Sequence, residues 1–236
     1  MSDILDKNRG YAGALKSILR LRYEPVAVKL IREGEEYPEG YEEPVGQLSH
    51  CQAVFRAGQG ESFKLPISCE NCMVGASALN MAPTPEKVLT GDFHAGIGMH
   101  DSREAAAKMI ADRLIVPYKT VGEVVCPLKD ADFIPDVVTI EDIPERCYWI
   151  VPLMTAEKGG RATFSTSPFQ CCCEDIVAVP VASGSPNISL GCFGCRKKTG
   201  MAADEMAVGI PYSLIPEYVR RLERYAELVM PKAKRD

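Results

Sequence analysis

Hydrophobic positions recur at helical spacing in three stretches of the chain. In residues 4–22 the apolar side chains fall three or four positions apart, and Asp3 stands before them as a possible cap. Residues 213–229 carry the clearest amphipathic pattern, which fits a helix if Pro216 lies in its first turn. Residues 105–116 follow a capping-box sequence and form the third stretch. The pattern predicts a helix near each end of the chain and one near its middle.

Strand-like patterns separate these helices. Residues 25–31 and 135–140 are rich in β-branched side chains and are bounded by prolines, which is typical of strands. The short apolar run 176–179, directly behind a cluster of cysteines, is interpreted as a buried strand. A run of small apolar residues, 73–79, fits instead a tightly packed helix that begins right after a cysteine pair.

The alternation of helices and strands predicts an α/β or α+β fold. No long Pro/Gly/Ser-rich linker divides the chain, so we expect residues 1–236 to form one domain. Its architecture is expected to be a single mixed sheet with flanking helices and cysteine-bearing loops.

Composition narrows the class of protein. The 46% hydrophobic and 25% charged residues match an ordinary packed domain, and the net charge of −5 argues against a nucleic-acid-binding surface. No stretch approaches the ~18 uninterrupted apolar residues of a membrane span. The amino terminus lacks the basic start and apolar run of a secretory signal, so we expect a cytoplasmic protein without membrane contact.

Ten cysteines carry the candidate chemistry. Seven fall in three groups: the pair Cys69 and Cys72, the run 171–173, and the pair Cys192 and Cys195. The CxxC spacing of the two pairs lets one short turn aim both sulfurs at a single metal. In a reducing cytoplasm such cysteines are more plausibly thiols, metal ligands or redox groups than disulfides, although an oxidised archaeal cytoplasm is an alternative.

Several motifs together resemble one family across nearly the whole chain. They are residues 24–29, Cys51, the sequence from Cys69 through Cys72 to Gly75, residues 173–175, residues 191–201 and residues 204–211. This combination is similar to the domain of unknown function 169 family. The resemblance implies a prokaryotic, often anaerobic setting and a single family-length domain, but no activity. Cys173 matches the family's lone cysteine, so Cys171 and Cys172 receive less weight as ligands, as do the scattered Cys126 and Cys147.

Six sulfurs then remain as candidate metal ligands: Cys51, Cys69, Cys72, Cys173, Cys192 and Cys195. Sulfur ligands favour zinc or an iron-sulfur cluster over magnesium, calcium or manganese. Six sulfurs exceed the four that one zinc ion needs, and this surplus favours an iron-sulfur cluster. His50, beside Cys51, could complete a mixed site. Arg196 follows the second pair and is the best candidate to neutralise or bind an anionic cofactor, ahead of Lys197 and Lys198.

Three functions stay open on this basis. The first is an iron-sulfur protein in electron transfer, redox chemistry or cofactor assembly, with a redox or cofactor-assembly protein as partner. The second is a structural-zinc module that presents a ligand or partner surface. The third is thiol-disulfide exchange through one of the CxxC pairs. No residue pattern identifies a catalytic group.

Overall fold

A six-stranded sheet forms the centre of the part of the chain that the computed structural model describes, residues 2–233. Its order is β2-β3-β1-β4-β6-β5, and every pair of neighbouring strands is antiparallel. The strands are β1 (Val26–Arg32), β2 (Phe63–Pro66), β3 (Thr120–Pro127), β4 (Val137–Asp142), β5 (Asn187–Ser189) and β6 (Met206–Pro211).

Helices flank the sheet, as the alternating sequence pattern predicted, so the expected combination of one sheet and surrounding helices is confirmed. The α-helices are α1 (Ser2–Leu19), α2 (His50–Gly58), α3 (Met73–Ala78), α4 (Glu86–Leu89), α5 (Asp92–Gly96), α6 (Arg103–Ala111), α7 (Pro144–Cys147), α8 (Ile150–Thr155), α9 (Val179–Ser183), α10 (Phe193–Lys198) and α11 (Ile215–Leu228). A π-helix spans Cys171–Ala178. Short 3-10 helices lie at Ile67–Cys69, Leu128–Asp130, Tyr212–Leu214 and Met230–Lys232. None of the helices in residues 2–233 has the length and apolar character that crossing a membrane requires.

The alternation of side chains along each strand builds two hydrophobic layers. On one face of the sheet, Ala27 of β1 and Val138 of β4 pack with α1, α8 and α11. On the other face, Val28 and Val137 pack with α2, α3 and the π-helix. A third, smaller cluster on that second face contains most of the grouped cysteines. The cysteines of this third cluster therefore lie together on one side of the sheet.

The segment predicted as a strand at 176–179 is helical, and that prediction was wrong. It belongs to the π-helix and to α9, and all of its residues are buried. The Asp175 N–H donates to the Gln170 carbonyl, five residues back, at 3.1 Å, which is the bond that defines a π-turn. A short, fully buried apolar run has no polar face to reveal its period, so sequence alone does not separate a strand from a helix here.

The middle helix is shorter than its pattern predicted. It begins after Ser102, whose side chain accepts the Ala105 N–H, and it ends at Ala111. The chain then extends so that the Val116 N–H reaches the Ala78 carbonyl at 3.0 Å. The tertiary hydrogen bond therefore overrides the helical pattern of residues 112–116. The predicted first turn of α11 is confirmed, with Pro216 inside it.

The π-helix approaches the sheet closely at one glycine. A Cβ atom added to Gly209 of β6 would lie 1.9 Å from the Ile176 carbonyl oxygen. Only a residue without a side chain lets the two backbones meet at this distance. This close contact places the π-helix, which contains the cysteine run, directly on the sheet.

Candidate metal centre

Three buried cysteines from three separate elements bring their sulfurs together. The Sγ atoms of Cys51 in α2, Cys172 in the π-helix and Cys195 in α10 all lie within 4.8 Å of one another. We call these residues the sulfur triad. The Cys172 and Cys195 sulfurs are 3.5 Å apart. Metal–sulfur bonds of about 2.3 Å in a tetrahedron place two sulfurs about 3.8 Å apart, so the triad has the spacing to hold a metal ion.

Local structure fixes two of the triad positions. A capping box starts α2: the Ser49 side chain accepts the Gln52 N–H, and the Gln52 side chain accepts the Ser49 N–H. Cys51 lies in the first turn that this box determines. The first turn of α10 is fixed in a similar way, because the Cys192 sulfur accepts the Cys195 N–H at 3.2 Å. The hydrogen bond between the two cysteines therefore fixes the conformation of the second CxxC pair without a metal.

A second set of cysteines faces a cavity beside the triad. Cys72, Cys173 and Cys192, which we call the outer cysteines, line a cavity of about 290 Å³, and Cys51 and Cys195 of the triad line it as well. A Cβ atom added to Gly75 would lie 3.6 Å from the sulfurs of both Cys72 and Cys173. The two sulfurs therefore approach the same glycine from two sides. Five of the six cysteines proposed from sequence meet around this cavity.

Cys69, the sixth, lies elsewhere. Its side chain is half-buried, and its sulfur is 3.5 Å from a Glu43 carboxylate oxygen at the outer side of the turn. It does not line the cavity and is not part of the triad. The first CxxC pair therefore contributes one sulfur, from Cys72, to the region of the metal centre.

Cys172 is the ligand candidate that sequence reasoning underweighted. The family resemblance favoured Cys173 and treated its two neighbours as local variation, but the Cys172 sulfur belongs to the triad and Cys171 lies 3.9 Å from it. A helical interpretation of the run would have revealed this, because consecutive residues then point in different directions around one axis. Cys126 and Cys147 pack in the hydrophobic layer on the opposite face of the sheet, as their lower weight implied.

The thiols strongly perturb one another. Hydrogen bonds from Cys172 and then from Cys195 lower the pKa of Cys51 below its ordinary value, against the effect of burial. Burial, and then the charges of Cys51 and Cys72, raise the pKa of Cys173 well above its ordinary value. Several thiolates are therefore costly to form together in this volume. A bound cation would remove that cost, because metal ligation stabilises the deprotonated thiol.

A buried network supports the triad from the sheet. The His50 Nδ1 atom is 2.8 Å from both carboxylate oxygens of Glu123 on β3, and its Nε2 atom is 3.2 Å from the Cys172 carbonyl oxygen. Burial alone would lower the pKa of His50, but the charge of Glu123 and the hydrogen bond to it raise it. Both ring nitrogens are thus engaged with oxygen atoms. His50 orients the cysteine backbone and does not complete a mixed site.

Glu70, inside the first CxxC pair, joins this support. Its two carboxylate oxygens accept the His50 N–H at 2.8 Å and the Cys72 N–H at 2.7 Å. Burial, and then the charge of Glu123, raise the pKa of Glu70 to about 7. One buried carboxyl group therefore links the start of α2 to the start of α3, the two helices that carry Cys51 and follow Cys72.

Glu141 of β4 contacts the triad directly. Its Oε1 atom is 3.6 Å from the Cys172 sulfur, and burial followed by the charge of Cys171 raises its pKa to about 8. The Cys172 thiol donates this hydrogen bond, and Glu141 accepts it. The bond partly opposes the rise in the pKa of Glu141, since it stabilises the carboxylate.

The basic residues after the second pair have different surroundings from those the sequence suggested. The Arg196 guanidinium donates to the backbone carbonyls of Leu190, Ala202 and Glu205, and so closes the loop around α10. Lys197 and Lys198 instead line the cavity. Binding of an anionic cofactor by Arg196 stays a prediction, since its hydrogen-bonding groups serve the loop in this structure.

Residues 14–221 match the model of the domain of unknown function 169, described as uncharacterised ArCR. The chain belongs to this family. It is also 31% identical over 223 residues to the uncharacterised protein MJ0308 of the archaeon Methanocaldococcus jannaschii, a match that covers 93% of this chain and 95% of that protein. No solved structure matches the chain. The family resemblance drawn from the sequence motifs is thus confirmed.

Proposed function

We propose that this family member is an iron-sulfur protein that takes part in electron transfer, redox chemistry or cofactor assembly. The observation that carries the proposal is the convergence of the sulfur triad and the outer cysteines on one side of the sheet. Thiolates are the usual ligands of iron-sulfur clusters, which commonly use four of them. The site offers more than four within one layer of the fold.

The surplus of sulfur distinguishes this proposal from structural zinc. One tetrahedral zinc ion would be saturated by the triad and a fourth ligand. Cys171, whose sulfur lies 3.9 Å from that of Cys172, is a candidate for it. Cys72, Cys173 and Cys192 would then have no role in binding, although they line the adjoining cavity. A structural zinc site is also closed to ligands, whereas this site borders a cavity.

Structural zinc is nevertheless the second candidate, because the compact triad suits a single ion. Triad sulfurs within 4.8 Å of one another fit the sulfur spacing of one tetrahedral metal. Thiol-disulfide exchange has less support: Cys69 faces Glu43 and Cys72 faces the cavity, so the first pair does not present two adjacent thiols to one substrate.

A redox or cofactor-assembly protein is the partner that this proposal implies. The cavity opens beside the outer cysteines, and Lys197 and Lys198 lie at its edge. A metal centre reached through such an opening is accessible to an exchanging molecule. The cytoplasm is the compartment in which the thiols would stay reduced.

The test is purification under strictly anaerobic conditions, followed by iron, zinc and acid-labile sulfide determination and an electron paramagnetic resonance spectrum. We expect iron and sulfide together, with a spectrum that changes on reduction. Stoichiometric zinc without sulfide would favour the second candidate. A colourless protein without metal after attempted cluster reconstitution would contradict both.

A further inference from the structure

The cavity beside the triad has walls that metal binding alone does not require. Three aromatic side chains, Phe93, Phe169 and Phe193, line it together with Val74 and Ile97. Phe93 is 47% exposed and Phe193 is 44% exposed. Covering such side chains with an apolar molecule removes them from water, which is favourable. The volume of about 290 Å³ lies at the small end of small-molecule sites, which are roughly 300–1,000 Å³.

The charge at the cavity is one-sided. Among the lining residues that fall within 2–233, Lys197 and Lys198 are cationic and none is acidic. Both lysines are exposed, and neither forms an ion pair with a side chain of the described region. Because Arg196 is occupied by backbone carbonyls, these two lysines supply the positive charge. Near these two lysines an anionic group is favoured over a neutral or cationic one.

A buried polar group in the wall lacks a partner. His94 is 1% exposed and lines the cavity, and its Nδ1 atom has no hydrogen-bond partner among the described residues. Its ring packs on Phe169, with the ring centroids 4.3 Å apart. Because that nitrogen has almost no accessible surface, His94 contributes its ring, packed beside Phe169, to the wall of the cavity.

We infer that this cavity binds a small organic anion with a flat apolar body, of which an aromatic carboxylate is the simplest representative. The apolar body packs between the phenylalanines, and the anionic group pairs with Lys197 and Lys198. As a molecule that meets the metal centre, this ligand rests on the proposed function. A cluster on the outer cysteines would share this cavity, so the binding is measured on samples whose iron and sulfide content is known.

The probe is benzoate, titrated calorimetrically into the full-length, anaerobically purified protein. Three related molecules separate the contributions: benzyl alcohol keeps the ring without the charge, benzylamine reverses the charge, and acetate keeps the charge without the ring. We expect benzoate to bind most tightly, benzyl alcohol and acetate to bind more weakly, and benzylamine to bind least.

Variants locate the binding in the cavity. The double variant Lys197→Gln/Lys198→Gln is expected to weaken benzoate binding roughly tenfold and to leave benzyl alcohol unchanged, because it removes two exposed charges. Phe93→Ala is expected to weaken both molecules. The exposed Lys158, which does not line the cavity, provides the matched control Lys158→Gln, with no expected effect. All these positions are at least partly exposed, so folding should survive.

Three results would overturn the inference. The first is benzylamine binding as tightly as benzoate, and the second is the double lysine variant binding benzoate like the unaltered protein. Absence of benzoate binding at millimolar concentration would overturn it as well. Iron and sulfide determination on the same samples separates the two proposals. Benzoate binding by an iron-free protein supports the proposed anion site and contradicts the iron-sulfur proposal. An iron-containing protein that does not bind benzoate contradicts only the proposed anion site.

Discussion

The two CxxC turns have the same spacing but different structures. In the second turn, Cys192 caps α10 and Cys195 lies three residues later in its first turn, and both line the metal-centre cavity. In the first turn, Cys69 ends a 3-10 helix, the chain then extends through Glu70, and Cys72 precedes α3. Cys69 consequently faces Glu43, while Cys72 faces the cavity.

The difference shows that the start of the helix, more than the CxxC spacing, decides whether both cysteines face the same cavity. When both cysteines belong to one helical turn, their side chains lie on the same side of it. When an extended residue separates them, they diverge. The sequence resemblance between the two turns therefore overstates their structural resemblance, and substitutions in the two turns should have unequal effects.

The largest predicted effect on metal binding comes from comparing two variants, each of which replaces one cysteine of one turn by serine. Cys195→Ser removes a triad sulfur and should weaken metal binding by more than about 100-fold. Loss of a residue that only hydrogen-bonds to a metal ligand costs up to about 100-fold, and loss of a ligand should cost more. Cys69→Ser should leave the metal content unchanged. The measurement is metal per protein after dialysis against a graded chelator. Equal losses in the two variants would mean that the turns are equivalent after all.

The cysteine run allows a second comparison of similar size. Cys172→Ser should abolish metal retention, because its sulfur lies 3.5 Å from that of Cys195. Cys126→Ser, buried in the opposite layer, should cost roughly 1 kcal/mol of folding stability and retain the metal. Metal analysis with denaturant unfolding distinguishes these outcomes. Metal retention in Cys172→Ser would instead favour Cys173 as the metal ligand of the run, as the family resemblance suggested.

A smaller effect is expected from two carboxylates near the cysteines, Glu123 beside His50 and Glu43 beside Cys69. Glu123→Gln weakens the support of His50, which contacts the Cys172 backbone and is not itself a ligand, so it should lower metal affinity by no more than about 10-fold. Glu43→Gln, beside Cys69, is the matched control and should change nothing. Competition with a chelator of known affinity measures both. A comparable loss of metal affinity in Glu43→Gln would mean that Cys69 and its surroundings contribute to metal binding.

The smallest effect concerns the loop that follows the second turn. Arg196→Gln leaves several backbone carbonyls without their donor and should lower the free energy of unfolding by about 1–2 kcal/mol. Lys197→Gln should stay within about 0.5 kcal/mol of the unaltered protein. Urea denaturation compares the two. If Arg196→Gln instead kept its stability and lost only the metal, Arg196 would act at the metal centre, as its position in the sequence suggested.

Much of the fold followed from patterns that are local. The strands at Val26–Arg32 and Val137–Asp142 have clear β-branched runs, and the amphipathic stripe of α11 leaves no doubt about its period. The run at 176–179 was different, because complete burial erased the polar face that identifies a period. Tertiary contact with Gly209 and the sheet determines its conformation.

The sequence indicated that the candidate site is made of cysteine sulfurs, but it did not identify which cysteines form it. The CxxC spacing and Cys51 indicated a sulfur centre, and five of the six proposed cysteines line one cavity. Cys172 was discounted because a resemblance aligns positions and carries no information on the direction of a side chain. The contacts of Glu70, Glu123 and Glu141 had no sequence signal, since they join elements that are separate along the chain.

The central claim is that buried sulfurs, with the triad at their centre, bind the metal. X-ray absorption at the edge of whichever metal the anaerobically purified protein contains tests it most directly. We predict a first coordination shell of sulfur at about 2.3 Å, with metal–metal scattering if the centre is an iron-sulfur cluster. A first shell of nitrogen or oxygen at about 2.0–2.2 Å, without sulfur, would contradict the account.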